Sequence, residues 1–230
     1  MVVLEHMLDG RLEPGLHHAW GPAGTRLVEV CMAFAASVAA RGRAVAWIDT
    51  TNGFSPARLS SVAGWRSTTD VTSLVLLCRA SNPLALETAI DAVSSRWMEW
   101  NLGAVVLDRP FGCLSLSHAD PVMRRVLRAQ AGELLSRLAL AGVLAGIPVV
   151  IANGVSTNPR TGEDRPTGDA IVRGLGAEPA SVEPLDPGAR DDGRPRFRWV
   201  SNDDEAIFSI DGGRFTFHPL PGRPPRGMEA

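Results

Sequence analysis

Short apolar runs alternate with longer segments of helical periodicity over the first two thirds of this 230-residue chain, and this alternation constrains its fold more than any other feature. The apolar runs have the length of strands that are buried on both faces; they cover 44–49, 73–78, 103–108 and 147–152. Helical spacing of apolar residues follows in the segments between them, chiefly 27–38, 82–100 and 119–145. A shorter helix is expected to begin near Pro56. This order predicts an α/β fold with a mostly parallel central sheet flanked by helices.

The last third of the chain differs in composition. Residues 154–194 are rich in Gly, Pro, Asp and Arg, which predicts long loops around one short helix. Two runs of alternating polarity, 196–200 and 206–210, then predict a C-terminal antiparallel extension of the sheet. The Pro- and Arg-rich end, 219–230, is expected to be a disordered tail. We therefore expect a single domain over residues 1–218.

Composition excludes several classes of protein. All 23 basic residues are arginine, yet the formal net charge is -2, so any DNA binding has to be local rather than a general coating. The three cysteines show neither C-x-x-C nor Cys/His spacing, which predicts no disulfide framework and no metal site. The chain has no apolar run of membrane-spanning length and no signal-peptide pattern. We expect a cytoplasmic protein without a membrane partner, and association with the nucleoid stays open.

A glycine-rich segment, Gly21-Pro22-Ala23-Gly24-Thr25-Arg26-Leu27-Val28, precedes the first predicted helix and has the place of the phosphate-binding motif G-x-x-x-x-G-K-[ST]. In that motif backbone N–H groups hold the phosphates, the lysine reaches the β- and γ-phosphates, and the hydroxyl binds Mg²⁺. Here Leu27 stands at the lysine position and Val28 at the hydroxyl position. The apolar character of both residues predicts a pocket that side chains have filled.

Together with this loop, four segments resemble the RecA/RadA recombinase superfamily. Residues 8–15 look like the segment before the phosphate-binding loop, and 48–59 (I-D-T-T-N-G-F-S-P-A-R-L) are similar to the family's I-D-T-E-G-x-F-x-P-x-R-L. Residues 105–108 resemble its Walker B strand, and 147–155 resemble the strand that ends in I-T-N-Q-V. The likeness covers nearly the whole chain and implies a RecA-like P-loop core. The resemblance is to this core and does not extend to the separate N-terminal or C-terminal domains of the larger recombinases.

The departures from the family pattern fall on its chemistry. Thr51 stands where the resemblance implies the catalytic glutamate, and Gly154 where it implies the glutamine that senses the γ-phosphate. Asp108, at the Walker B position, is the one member of the set that remains. Since phosphoryl transfer needs a cation, Mg²⁺ and a group that positions water, we expect no ATP hydrolysis and no cofactor, although weak binding of Mg-ATP stays open.

Two alternatives remain at this site. A register slipped by one residue would offer Arg26 as the phosphate cation and leave Thr25 as a hydroxyl, which would allow a slow, unconventional ATPase that uses Arg26 and Asp108. In the opposite interpretation, Asp108 only ends a strand and caps the residues that follow.

Two segments correspond to the loops that contact single-stranded DNA in the recombinases. Residues 114–125 contain Arg124 and Arg125, and residues 155–169 contain Arg160 and Arg165. These arginines are candidate DNA-binding residues. Neither segment has an aromatic residue on which bases could stack, so the alternative of ordinary solvated loops stays open.

The sequence therefore favours a catalytically inactive recombinase-like protein that acts as an adaptor in DNA repair. Its expected partner is a recombinase, a sister paralogue or a translesion polymerase, with single-stranded DNA as a weaker candidate. Recombinase paralogues, which mediate homologous recombination, and bacterial ImuA-type proteins, which serve damage-induced mutagenesis, both fit this description. The inference to DNA repair depends on the resemblance alone.

Overall fold

The computed structural model describes residues 2–64, 71–113, 120–157, 160–177, 179–185, 195–201, 205–218 and 220. The described strands are β1 (Gly15–Trp20), β2 (Ala44–Asp49), β3 (Val75–Arg79), β4 (Leu102–Asp108), β5 (Pro148–Asn153), β6 (Val155–Thr157), β7 (Asp164–Pro166), β8 (Pro179–Pro184), β9 (Arg196–Val200), β10 (Glu205–Asp211) and β11 (Arg214–His218). The helices are α1 (Val2–Leu8), α2 (Leu27–Ala39), α3 (Pro56–Ala63), α4 (Pro83–Arg96), α5 (Pro110–Cys113), α6 (Pro121–Ala145) and α7 (Asp169–Gly174), and a short 3₁₀ turn covers Thr72–Leu74.

Among the described residues, nine strands form one sheet in the order β11-β10-β9-β8-β1-β5-β4-β2-β3. The six strands from β8 to β3 pair in parallel, and β9, β10 and β11 continue the sheet in antiparallel fashion. β6 and β7 form a separate antiparallel pair. The predicted α/β class, the mostly parallel sheet and the antiparallel C-terminal extension are confirmed.

Helices cover both faces of the parallel strands. α1, α2 and α3 pack on one face, where Phe34 and Trp47 are fully buried. α4, α5, α6 and α7 pack on the other face, where Ile90 and Leu107 are fully buried. Every residue of β2, β4 and β5 is buried as a result, which explains why these strands are apolar runs without alternation.

The parallel strands bring their carboxyl ends to a single edge of the sheet. β2 and β4 are in register from Ala46 opposite Val105 to Asp49 opposite Asp108. β1 and β5 run to Trp20 opposite Asn153. The loop before α2, the turn after β2 and the first residues after β4 therefore lie together, as ligand sites of parallel sheets do.

The sequence predictions were wrong at several elements. β8 lies within the predicted loop region, because the prolines at both of its ends are typical of loops. β6, β7 and β11 were not predicted. The helix predicted over 82–100 ends at Arg96. A 3₁₀ turn takes the first residues of the strand predicted at 73–78. The predicted tail, 219–230, lies outside the described residues except for Leu220.

The antiparallel extension is stabilised by an aromatic cluster in which Phe208 is fully buried, with ring centroids 5.8 Å from both Phe197 and Phe215. We expect Phe208→Ala to lower the free energy of unfolding by about 3–5 kcal/mol, because it removes a buried ring and leaves a cavity. Phe217, the cross-strand partner of Phe208, is 40 % exposed and offers a matched control. Phe217→Ala should cost about 1 kcal/mol or less. Urea denaturation measures both, and equal losses would contradict this account of the core.

Candidate functional site

A cleft with a volume of about 360 Å³ opens at the carboxyl edge of the parallel sheet. The glycine-rich loop, the first turn of α2, the turn after β2, one residue of α3 and the end of β4 form its walls. The lining residues are Pro22, Gly24, Thr25, Arg26, Leu27, Val28, Glu29, Thr51, Gly53, Arg58, Asp108 and Arg109. The expected filling of this pocket by side chains is wrong, because an open cleft of this size remains.

Arg26 has a left-handed backbone, with φ 63° and ψ 17°, immediately before α2. It stands at the second glycine position of G-x-x-x-x-G-K-[ST], counted from Gly21. The loop therefore keeps a backbone conformation that favours glycine while it carries a side chain, at a cost of about 1–2 kcal/mol. Such strain persists only where other contacts maintain it.

Glu29 provides that contact from the first turn of α2. The same Oε1 atom of Glu29 accepts hydrogen bonds from Arg26 Nη1 at 2.9 Å and from Arg58 Nη2 at 2.6 Å. Burial alone would raise the pKa of Glu29, whose exposed fraction is 6 %, but the two guanidinium groups outweigh it and lower the pKa. The Glu29 carboxylate thus pairs with Arg26 and Arg58, two of the three arginines that line the cleft.

Leu27 and Val28 leave the cleft without the groups that the phosphate-binding motif needs. Leu27 is buried and packs within the core beneath α2, and Val28 is half-buried against the same core. Thr25 is buried as well, and its Oγ1 donates to the Pro22 carbonyl at 2.8 Å. The slipped register therefore gains neither a cation nor a hydroxyl that is not already engaged.

Asp49 organises the turn that follows β2. Its Oδ1 accepts from the backbone N–H groups of Thr51 at 3.0 Å and of Gly53 at 3.1 Å, and its Oδ2 accepts from Phe54 at 3.1 Å. Three hydrogen bonds to a buried carboxylate are ample compensation for its lost hydration. They hold Thr51, at the predicted catalytic-glutamate position, against the cleft.

Asp108 lies opposite Asp49 in the register, with very different surroundings. Its side chain is 1 % exposed, and Oδ1 has no hydrogen-bond partner among the described residues; Arg109 Nε lies 4.0 Å away. Oδ2 accepts a long hydrogen bond of 3.4 Å from Thr51 Oγ1. Burial raises the pKa of Asp108 to about 6. Within the described residues its side chain makes no capping hydrogen bond, which does not support the alternative in which Asp108 caps the residues that follow.

Two of the predicted site residues lie outside the cleft lining. Gly21 is buried below the loop, where a Cβ atom would approach the Val182 carbonyl oxygen to 2.5 Å and Thr25 Oγ1 to 2.6 Å. The glycine is therefore required by close packing against β8 rather than by a ligand. Gly154 follows β5, and its carbonyl accepts from Thr167 N–H at 3.0 Å.

The four candidate DNA-binding arginines occupy three different settings. Arg165, on β7, donates to Glu163 Oε2 at 2.9 Å, which offsets its charge. Arg160 is exposed in the connection between β6 and β7. Arg125 is exposed near the start of α6, and Arg124 precedes it there with a side chain outside the described set. The structure does not gather them into the cleft.

Three residues of the site were not singled out from the sequence, namely Glu29, Arg58 and Arg109. Glu29 is the single charged residue of α2, and a lone acid in an otherwise apolar helix is a usable signal, because unpaired carboxylates are rarely buried. Arg58 belongs to the segment that resembles the recombinases, but its orientation toward Glu29 depends on tertiary packing. Arg109 has a left-handed backbone, with φ 50°, that its sequence neighbours do not indicate.

Models of known protein families were compared with the chain and none of them matches, and no curated protein matches it either. Among the described residues, no group of three or more His, Cys, Asp or Glu side chains is placed to hold a metal ion. Nor does any helix in the described ranges combine the length and the apolar character needed to cross a bilayer.

The two buried aspartates predict opposite responses to the same substitution. Asp108→Asn should raise the free energy of unfolding at pH 7 by about 1–3 kcal/mol, because it removes a buried charge that is held by a single long hydrogen bond. Asp49→Asn should lower it by about 2 kcal/mol or more, because it weakens three charge-assisted hydrogen bonds. Chemical denaturation at pH 7 tests the pair. Destabilisation by Asp108→Asn would mean that the Asp108 charge has a favourable partner.

The pH dependence of the Asp108→Asn effect is a further prediction. The pKa of Asp108 rises from 3.8 to about 6 on folding, so the folded state retains a proton that the unfolded state has lost, and stability falls as the pH rises from about 4 to 6. The stabilisation by Asp108→Asn should grow over this window and stay constant above it. Burial lowers the pKa values of His17 and His18, which gives the opposite slope, but this contribution cancels in the difference between the two proteins.

Proposed function

We propose that this protein is a catalytically inactive, RecA/RadA-like adaptor in DNA repair. It would act through protein contacts with a recombinase, a sister paralogue or a translesion polymerase. The proposal combines the resemblance of the sequence with the electrostatics of the cleft.

The engagement of Arg26 and Arg58 by Glu29 carries the proposal. A triphosphate would have to take both cations from a nearly buried carboxylate, and Glu29 would then remain charged beside the phosphates. Electrostatics inside the cleft consequently oppose the ligand that such a loop normally holds. Arg109, the third cation of the wall, lies next to the Asp108 carboxylate.

The hydrocarbon side chains of the loop support the same conclusion. Mg²⁺ requires oxygen ligands and normally takes one from the Ser/Thr of the motif, but Val28 supplies none. Thr51 has a hydroxyl in place of a carboxylate, so it is a poor base for a water molecule near Asp108. Several groups that act as a unit in phosphoryl transfer are absent together.

Support for the recombinase relationship comes from the quoted segments and from their positions. The glycine-rich loop follows β1, the segment around Thr51 follows β2, Asp108 ends β4 and Gly154 follows β5. All four strands are parallel neighbours, so these segments reach the same edge of the sheet. The role in DNA repair is argued by analogy with that family.

A second candidate, a slow ATPase, is favoured by one observation. Asp108 lines the cleft, one of its buried carboxylate oxygens has no hydrogen-bond partner in the described part of the chain, and its pKa is about 6. Such a carboxylate is suited to general-base chemistry. This alternative predicts saturable Mg-ATP binding that Asp108→Ala abolishes.

Nucleotide titration tests the electrostatic basis of the proposal. The wild-type protein should show no saturable binding of Mg-ATP up to about 1 mM in isothermal titration calorimetry. Glu29→Gln should bind inorganic tripolyphosphate at least about tenfold more tightly than the wild type, because Arg26 and Arg58 are then available to an anion.

The double variant Glu29→Gln with Arg58→Ala is the matched control, since it removes the internal anion and one of the released cations together. It should lose the gain in affinity, and circular dichroism would verify that each variant is folded. Saturation of the wild type with Mg-ATP would contradict the inactive-adaptor proposal and favour the slow ATPase.

Affinity capture tests the adaptor role itself. The tagged full-length protein should recover a recombinase, a paralogue or a translesion polymerase from DNA-damaged cells of its own source, and nuclease treatment should leave the recovery unchanged. Recovery that disappears with nuclease would mean that DNA bridges the proteins. Failure to recover any of the three would overturn the adaptor role.

A further inference from the structure

The first turns of α6 extend beyond the core. The helix begins at Pro121 behind the cap residue Asp120, whose Oδ1 accepts from the N–H groups of Val122 at 2.8 Å and Met123 at 3.0 Å. Ala131 is the first residue of α6 described as buried. This well-capped protruding segment, residues 121–130, therefore contributes no fully buried side chain to the core among the described residues.

Apolar side chains lie on this protruding segment. Val122, Met123 and Val126 are 71 %, 49 % and 56 % exposed, respectively. Val122 and Val126 are four residues apart and share a face of the helix, with Met123 at its margin. Hydrophobic groups that are exposed together mark an interaction site more often than isolated ones do.

Positive charge accompanies the apolar face. Arg125 and Arg128 are exposed, and neither has a carboxylate partner among the described residues. Residues 121–132 contain three arginines and no acid. Arg137, farther along the same helix, instead pairs with Glu87 at 3.5 Å and Asp91 at 3.1 Å. Arg137 is therefore paired by carboxylates of α4, whereas Arg125 and Arg128 have no such pairing within the described residues.

We propose that this apolar face, formed by Val122, Val126 and Met123 and bordered on one side by Arg125 and Arg128, docks an acidic, amphipathic helical segment of a partner protein. Leucine-type side chains of that segment would cover the two valines and the methionine, and its carboxylates would pair with the two arginines. The inference rests on the adaptor role proposed above, and it specifies the chemistry of the partner that this role requires.

A protein segment fits the face better than a single strand of DNA does. Single-strand binding combines cations with aromatic rings on which bases stack, and residues 120–130 contain no aromatic residue. A phosphate backbone would also leave the valines and the methionine exposed to water. An acidic amphipathic helix matches both the charge and the apolar surface.

A fluorescein-labelled 20-residue peptide is the probe, with leucines at positions i, i+3, i+4 and i+7 and glutamates on the flanks of that stripe. Fluorescence anisotropy with the full-length protein should show saturable binding that weakens as the salt concentration rises. A peptide of identical composition, scrambled so that it has no apolar stripe, should bind about tenfold more weakly or not at all.

Two variants identify the face, and each has a matched control. Val122→Ser with Val126→Ser should weaken peptide binding about tenfold or more, whereas Leu144→Ser, at a residue that is 73 % exposed on the same helix, should leave it unchanged. Arg125→Glu with Arg128→Glu should abolish binding, whereas Arg214→Glu, at an exposed residue of β11, should not. All substituted side chains are exposed, so the variants should fold.

Three results would overturn the proposal. The first is equal binding of the striped and scrambled peptides. The second is tighter binding of a 20-nucleotide oligo-dT than of the striped peptide, if Arg125→Glu with Arg128→Glu removes the oligonucleotide binding. The third is self-association in sedimentation velocity that the valine variant removes. Failure here is distinguishable from failure of the adaptor role. If the valine variant still captures the cellular partner, the adaptor role holds and this face is not its docking site.

Discussion

Burial of the central parallel strands on both faces is the constraint from which the rest of this structure follows. Helices on each side leave β2, β4 and β5 no solvent-facing surface, so polar residues are confined to the ends of the strands. Asp49 and Asp108 consequently meet at one edge, fully buried and side by side. The turn that Asp49 organises and the strained loop before α2 can then form the two walls of a cleft.

Within that cleft the decisive group is an anion that belongs to the protein. Glu29 engages Arg26 and Arg58 through a single oxygen, in the region where a phosphate-binding loop would meet its ligand. The two ion pairs compensate the burial of Glu29 and offset the left-handed strain at Arg26. An internal salt bridge thereby helps to maintain the glycine-like conformation of the loop.

Local patterns were sufficient to predict the body of the fold. The bounds of β2 and the start of α2 follow from apolar runs and from the glycine-rich loop. β8 was missed because its pairing with β1 depends on distant chain segments and not on its own composition. The same limit applies to the site: the sequence indicates Leu27, Val28, Thr51 and Asp108, but the ion pair of Glu29 with Arg58 arises only when α3 packs on α2.

The arginines of the cleft and those at the protruding start of α6 differ in how their charges are paired. In the cleft, cations are matched by carboxylates of the same chain. On α6, Arg125 and Arg128 lie beside exposed valines and have no such partner in the part of the chain that the structure describes. A surface that exposes both charge and apolar area has two sources of binding free energy that a second molecule can use. The proposed docking on α6 uses both sources, whereas in the cleft the ion pairs of Glu29 hold the loop, α2 and α3 together.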